Sequence, residues 1–125
     1  ITGMKIDNIS AMKEAAEKIH AMGAKNVFVK GGHLSDDATD ILFDGSNFTI
    51  LEGKRIDTKN THGTGCTISS AIAANLANGL SVEQAVKAAK EYITTAIEHS
   101  FAIGHGVGPT NHFYTLYKKS GMPCE

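Results

Sequence analysis

No run of apolar residues in this chain approaches the roughly 20 needed to span a membrane. No block of like charge stands out either. Lys and Arg number 12 against 13 Asp and Glu, a formal net charge of −1. A nucleic-acid or membrane-surface partner is therefore not implied. Cysteine is scarce: Cys66 and Cys124 are far apart and sit in unlike settings. They are not expected to pair, and the reducing cytoplasm is the expected compartment. No internal repeat, linker or low-complexity tract is present. The opening Ile1-Thr2-Gly3-Met4-Lys5 lacks the charged-then-apolar pattern of a signal peptide, so none is expected. It starts with Ile in what reads as a loop, so the 125 residues are expected to be a piece of a longer protein.

What is there suits one soluble globular domain over residues 1–125, with 42% apolar residues to build a core. Met12, Ala15, Ala16, Ile19 and Met22 follow a helical stripe. Ser10 is the expected N-cap and Gly23 the stop. Asn26–Lys30 is a short apolar run ending at Gly31-Gly32, which predicts a buried parallel strand. Thr39–Phe43 and Asn47–Leu51 flank Asp44-Gly45-Ser46, which predicts a hairpin. Lys54–Thr58 is expected to add a third strand. Ile68–Asn78 predicts a helix ended by Gly79. Ser81 and Gln84 form a capping box for a helix running to about Ser100. Phe113–Tyr117 reads as an edge strand or a helical turn.

The most informative run is Asn60-Thr61-His62-Gly63-Thr64-Gly65-Cys66-Thr67, which opens into a helix of small residues. Two glycines one residue apart let successive N–H groups converge. The helix adds its unpaired N–H groups and the positive end of its dipole. This is an anion site, and on an α/β protein the usual anion is a phosphate. No Walker pattern occurs, so a nucleotide phosphate would be held differently from one in a P-loop. Cys66 sits at the mouth. A cysteine at a buried helix start is ordinarily a small hydrophobe. Here the helix end favours its thiolate and bound phosphates oppose it, which makes a weak general base.

Lys30 ends the buried strand beside two glycines, where α/β sheets place ligand contacts. Lys90 flanks the apolar stripe of the long helix and reads as a surface lysine. The six histidines, His20, His33, His62, His99, His105 and His112, match no zinc spacing. His20 and His99 read as helix-surface residues. No protein-ligated metal is expected. Gly104–Gly108 follows a helix and is a weak match to a dinucleotide loop.

Asn60–Ala74, Lys30-Gly31-Gly32-His33 and Gly104–Phe113 resemble hydroxymethylpyrimidine/phosphomethylpyrimidine kinase of thiamine biosynthesis, in the ribokinase-like superfamily. The opening Ile-Thr-Gly-Met resembles it too. The resemblance covers essentially the whole chain, but only as the C-terminal half of such an enzyme. It implies an α/β fold: that half of a ribokinase-like three-layer sandwich, with a mostly parallel sheet and a β-hairpin. It implies ATP carrying Mg²⁺, a small-molecule acceptor and a homodimeric full-length protein. It places phosphate binding on Thr61, Gly63, Thr64, Gly65 and Cys66, and catalysis on Cys66, Lys30 and Lys90. The acceptor would be hydroxymethylpyrimidine and then its monophosphate. A pyridoxal/pyridoxine kinase of the same superfamily is the close alternative. A non-catalytic nucleotide-binding or interaction fragment is a further one.

Overall fold

The computed structural model describes residues 1–32, 38–53 and 55–123. His33, Lys54 and Cys124 lie outside the described residues. The chain divides into two compact units, Ile1–Arg55 and Ile56–Glu125.

The first unit holds helix α1 (Ile9–Ala21) and strands β1 (Val27–Val29), β2 (Asp40–Phe43) and β3 (Phe48–Leu51). The N-cap of α1 is Asn8, not Ser10. The Asn8 side chain accepts the Ala11 N–H at 2.8 Å, which starts the helix before Ser10 is reached. At the other end Gly23, with φ 111°, turns the chain out of the helix. Met12, Ala15 and Ala16 are buried as their spacing predicts. Ala16 joins Val27 and Phe43 in a core bordered by Ile19, Ala24, Val29 and Phe48. His20 is half-buried, edge-on to Phe43 at 5.3 Å, so it is not a surface residue.

The sheet order is β1-β2-β3, with both pairings antiparallel. The expected hairpin is β2–β3. Phe43 pairs with Phe48 in register, and their rings stack at 4.4 Å. The parallel pairing expected of β1 does not occur among the described residues. Only the residues between Val29 and Asp40 connect β1 to β2, fewer than a parallel crossover needs, and the chain returns antiparallel. The expected third strand at Lys54–Thr58 is also absent: residues 55–58 form no ladder.

The second unit holds α2 (Thr64–Ala77), α3 (Val82–Glu98) and α4 (Tyr114–Ser120). Helix α3 follows the sequence reading closely. Ser81 and Gln84 form the reciprocal capping box, and Ala85, Val86, Ala89, Ile93 and Ala96 make one buried stripe. Between α2 and α3, the Gly79 N–H bonds the Leu76 carbonyl and the Leu80 N–H the Asn75 carbonyl. Those two hydrogen bonds, with Gly79 at φ 87°, close α2 and turn the chain toward α3. Phe113–Tyr117 resolves as the start of α4, and Tyr114 stacks on His99 at 3.5 Å. No helix among the described residues is long and apolar enough to cross a membrane.

Candidate functional site

Helix α2 begins four residues earlier than its apolar pattern suggests. Gly65, Cys66 and Thr67 are its first turn, not a loop before it. The cause is Gly63, the N-cap, at φ 80° in the left-handed region where glycine is at home. It brings no side-chain cap, and the first turn carries no acidic residue. The Thr64 hydroxyl donates to the Thr61 carbonyl at 2.6 Å, and the Thr67 hydroxyl to the Gly63 carbonyl at 2.9 Å. The Thr64 N–H bonds the Thr61 carbonyl at 3.3 Å and the Thr67 N–H the Gly63 carbonyl at 2.9 Å. Among the described residues, no acceptor takes the N–H of Gly65 or Cys66. Two adjacent donors therefore stand open at the positive end of the helix.

Gly65 is the telling residue. Its φ is not positive, and a Cβ there would meet nothing within 4 Å. Among the described residues, neither conformation nor packing demands glycine there. In a helix, glycine costs about 0.5–1 kcal/mol relative to alanine. What the missing side chain provides is access: an anion can approach the backbone closely.

Cys66 is exposed and its thiol is free, so it is not a buried small hydrophobe. From it a groove of about 630 Å³ runs along the small side chains Ser70, Ala71 and Ala74. Its other wall is Ala88 and Tyr92 of α3, with His112 at one end. The Tyr92 hydroxyl donates to the His112 carbonyl at 3.0 Å, tying the loop before α4 to α3. A space of this size suits a small-molecule ligand.

Thr61, Gly63, Thr64, Gly65 and Cys66 thus gather at one helix tip, as the sequence suggests. Lys90 is half-buried on α3 and does not line the groove, whereas Ala88 and Tyr92 do. Lys30 follows β1 in the first unit, exposed. Tyr92, Asn75 and His112 were not anticipated. The Ala88–Tyr92 spacing of four on α3 was the available signal for the groove wall. Among the described residues, no three His, Cys, Asp or Glu side chains cluster to hold a metal ion.

Comparison with known proteins gives this geometry its setting. The phosphomethylpyrimidine kinase family model matches residues 1–111. The chain is 47% identical over 116 residues to the hydroxymethylpyrimidine/phosphomethylpyrimidine kinase of Streptomyces coelicolor, across 93% of this chain and 43% of that protein. It is 47% identical over 115 residues to the pyridoxine kinase of Bacillus subtilis, across 90% and 42%. The crystal structure of an ADP complex of Bacillus subtilis pyridoxal kinase matches with a TM-score of 0.85 at 48% identity, over 90% of this chain and 43% of that one. The chain spans less than half the length of these relatives. Its elements are the α/β arrangement of the C-terminal part of the ribokinase-like fold. With its match running over residues 1–111, the chain belongs to the phosphomethylpyrimidine kinase family.

Proposed function

We propose that this chain supplies the phosphate-binding part of an ATP-dependent kinase. Its substrates would be 4-amino-5-hydroxymethyl-2-methylpyrimidine and then the monophosphate of that alcohol, on the way to thiamine. The observation that carries this reading is Gly65: a glycine that nothing among the described residues requires, beside two open N–H donors. The ADP complex of a relative supports ATP as the donor.

In this reading Thr61, Gly63, Thr64, Gly65 and Cys66 hold the transferring phosphoryl group. Charge builds on its oxygens, and preorganised N–H groups stabilise it without reorganising. The family resemblance supports a charge-neutralising role for Lys30 and Lys90. Mg²⁺ would arrive with ATP, its ligands coming largely from the phosphates. Cys66 deprotonates or orients the acceptor alcohol. The scarce, separated cysteines support work in the cytoplasm. The resemblance supports a homodimer of the full-length protein, which sedimentation would test.

The relative named pyridoxine kinase, equally identical, favours a second reading in which pyridoxal or pyridoxine is the acceptor. ATP-dependent phosphorylation by the full-length protein, assayed with hydroxymethylpyrimidine, its monophosphate and pyridoxal, separates the two. Conversion of the pyrimidine to its pyrophosphate supports the first. Preference for pyridoxal replaces it with the second. Reaction with neither reduces the site to binding alone.

A further inference from the structure

The segment that enters α2 is held from behind the anion site. Asn60 is 7% exposed, and its Oδ1 accepts the Gly108 N–H at 3.1 Å. The Gly108 carbonyl in turn accepts the His62 N–H at 3.2 Å. One glycine is thus gripped on both its polar groups by the residues just before Gly63. His62 and Pro109 pair as a single parallel bridge. The loop end is anchored as well: Pro109 accepts the Phe101 N–H at 3.1 Å, and Asn111 donates to the Ala96 carbonyl of α3 at 2.8 Å. On its own side, the Asn60 N–H bonds the Thr58 hydroxyl at 3.1 Å.

Gly108 is glycine for closeness. It is buried, its φ is not positive, and a methyl group there would run into the Phe101 carbonyl oxygen and the Asn60 carboxamide. That contrasts with Gly65, where a methyl would meet nothing. Gly63 brings no side-chain cap to hold the helix start. The direction of the Gly65 and Cys66 N–H groups therefore depends on how the 60–62 segment is pinned. An oxyanion donor works only within a narrow range of aim.

We propose that Asn60 and Gly108 are positioning residues for the phosphate site: their contact fixes the start of α2, and through it the donors that hold the phosphate. This rests on the phosphate reading above. The test uses the full-length protein carrying this chain, with Asn60→Ala, Asn60→Asp and Gly108→Ala. ATP affinity is measured by titration calorimetry on folded protein, alongside the acceptor KM and the thermal midpoint.

Asn60→Ala and Gly108→Ala should each weaken ATP binding by on the order of tenfold, since small misplacements carry such costs. The acceptor KM should stay within about twofold, because uniform acceptor binding is untouched. Asn60→Asp keeps an oxygen for the Gly108 N–H and should hold ATP affinity within about threefold of the unsubstituted protein. The double alanine variant should be little worse than the weaker single, because both break one contact. Folded Asn60→Ala with undiminished ATP affinity would overturn the inference, as would Asn60→Asp as weak as Asn60→Ala. If Gly108→Ala does not fold, the Asn60 pair decides alone. Failure of the unsubstituted protein to bind ATP would overturn the phosphate reading and this inference with it.

Discussion

Helices α2 and α3 pack against each other, and their N-termini are finished in opposite ways. At α3 the chain satisfies its own donors: Ser81 Oγ accepts from Gln84 N–H at 3.3 Å, and Gln84 Oε1 accepts from Ser81 N–H at 3.1 Å. At α2 a glycine stands at the N-cap and two donors are left over. The bodies differ in the same sense. Helix α3 is amphipathic, with one buried stripe and charges outside it. Helix α2 has no charged residue, yet only Ile68 is buried. The contrast separates a helix whose first turn is closed by its own side chains from one whose first turn leaves two donors open among the described residues.

Gly65→Ala should break this contrast most sharply. Alanine is the better helix former, so the variant should be more stable by about 0.5 kcal/mol. The methyl group blocks close approach of an anion, so ATP affinity or turnover in the full-length protein should fall by on the order of a hundredfold. Denaturant titration and ATP binding on the same sample check both signs. Losing stability and affinity together would mean that Gly65 serves the fold.

Cys66→Ala sharpens the chemistry of the open end. An alcohol acceptor must lose its proton, and a general base is worth about a hundredfold at the low end of its range. A phosphate monoester has a second pKa near 6, so it reaches neutral pH already largely ionised and needs no base. A neutral thiol tolerates both acceptors where a carboxylate would repel the second. Phosphorylation of the alcohol should therefore fall far more than phosphorylation of its monophosphate. Equal losses in paired initial-rate assays would leave Cys66 as a shape-filling residue only.

Ser81→Ala is the mirror experiment at the closed end. It should cost about 1 kcal/mol in denaturant unfolding, the usual worth of an N-cap hydroxyl. ATP affinity should not change. A loss of ATP affinity would mean the two ends are coupled, not merely adjacent.

How much of this could be read in the sequence depended on distance along the chain. The capping box of α3 was legible because Ser81 and Gln84 lie within one turn and their pairing is local. The β2–β3 hairpin was legible from Asp44-Gly45-Ser46 between two apolar runs. The start of α2 was misplaced because glycine and threonine in a first turn have the composition of a loop. Asn8 displaced Ser10 because both are capping residues two positions apart, and once Asn8 takes the Ala11 amide Ser10 lies inside the first turn. The antiparallel pairing of β1 was invisible because strand direction is decided by connection and tertiary contact. Asn60 and Gly108 are 48 residues apart, and no local pattern links them. The residues gathered at the tip of α2 were readable as a list; the contact that pins the segment before them was not.

The hairpin turn supplies a third way of filling backbone donors, and it shows what an anion on two adjacent N–H groups does. The Asp44 carboxylate accepts the Ser46 N–H at 2.8 Å and the Asn47 N–H at 2.7 Å. It is the chain's own anion, held on adjacent amides as we propose a phosphate is held at Gly65 and Cys66. The Asn47 amide, then the Ser46 amide, hold its pKa below the ordinary 3.8. A carboxylate with a depressed folded-state pKa stabilises the protein above the unfolded value. That contribution disappears as pH falls through the lower, folded value. Denaturant midpoints taken between pH 5 and pH 2, in steps of about half a unit, should therefore drop more steeply in the unsubstituted protein than in Asp44→Asn. Asparagine keeps an oxygen for the two amides and has no charge to lose. The Asp44 carboxylate is exposed to solvent, so the difference in slope should be the smallest of these effects. Parallel slopes would show that two backbone amides alone do not favour an anion on this chain, which would weaken the same argument at α2.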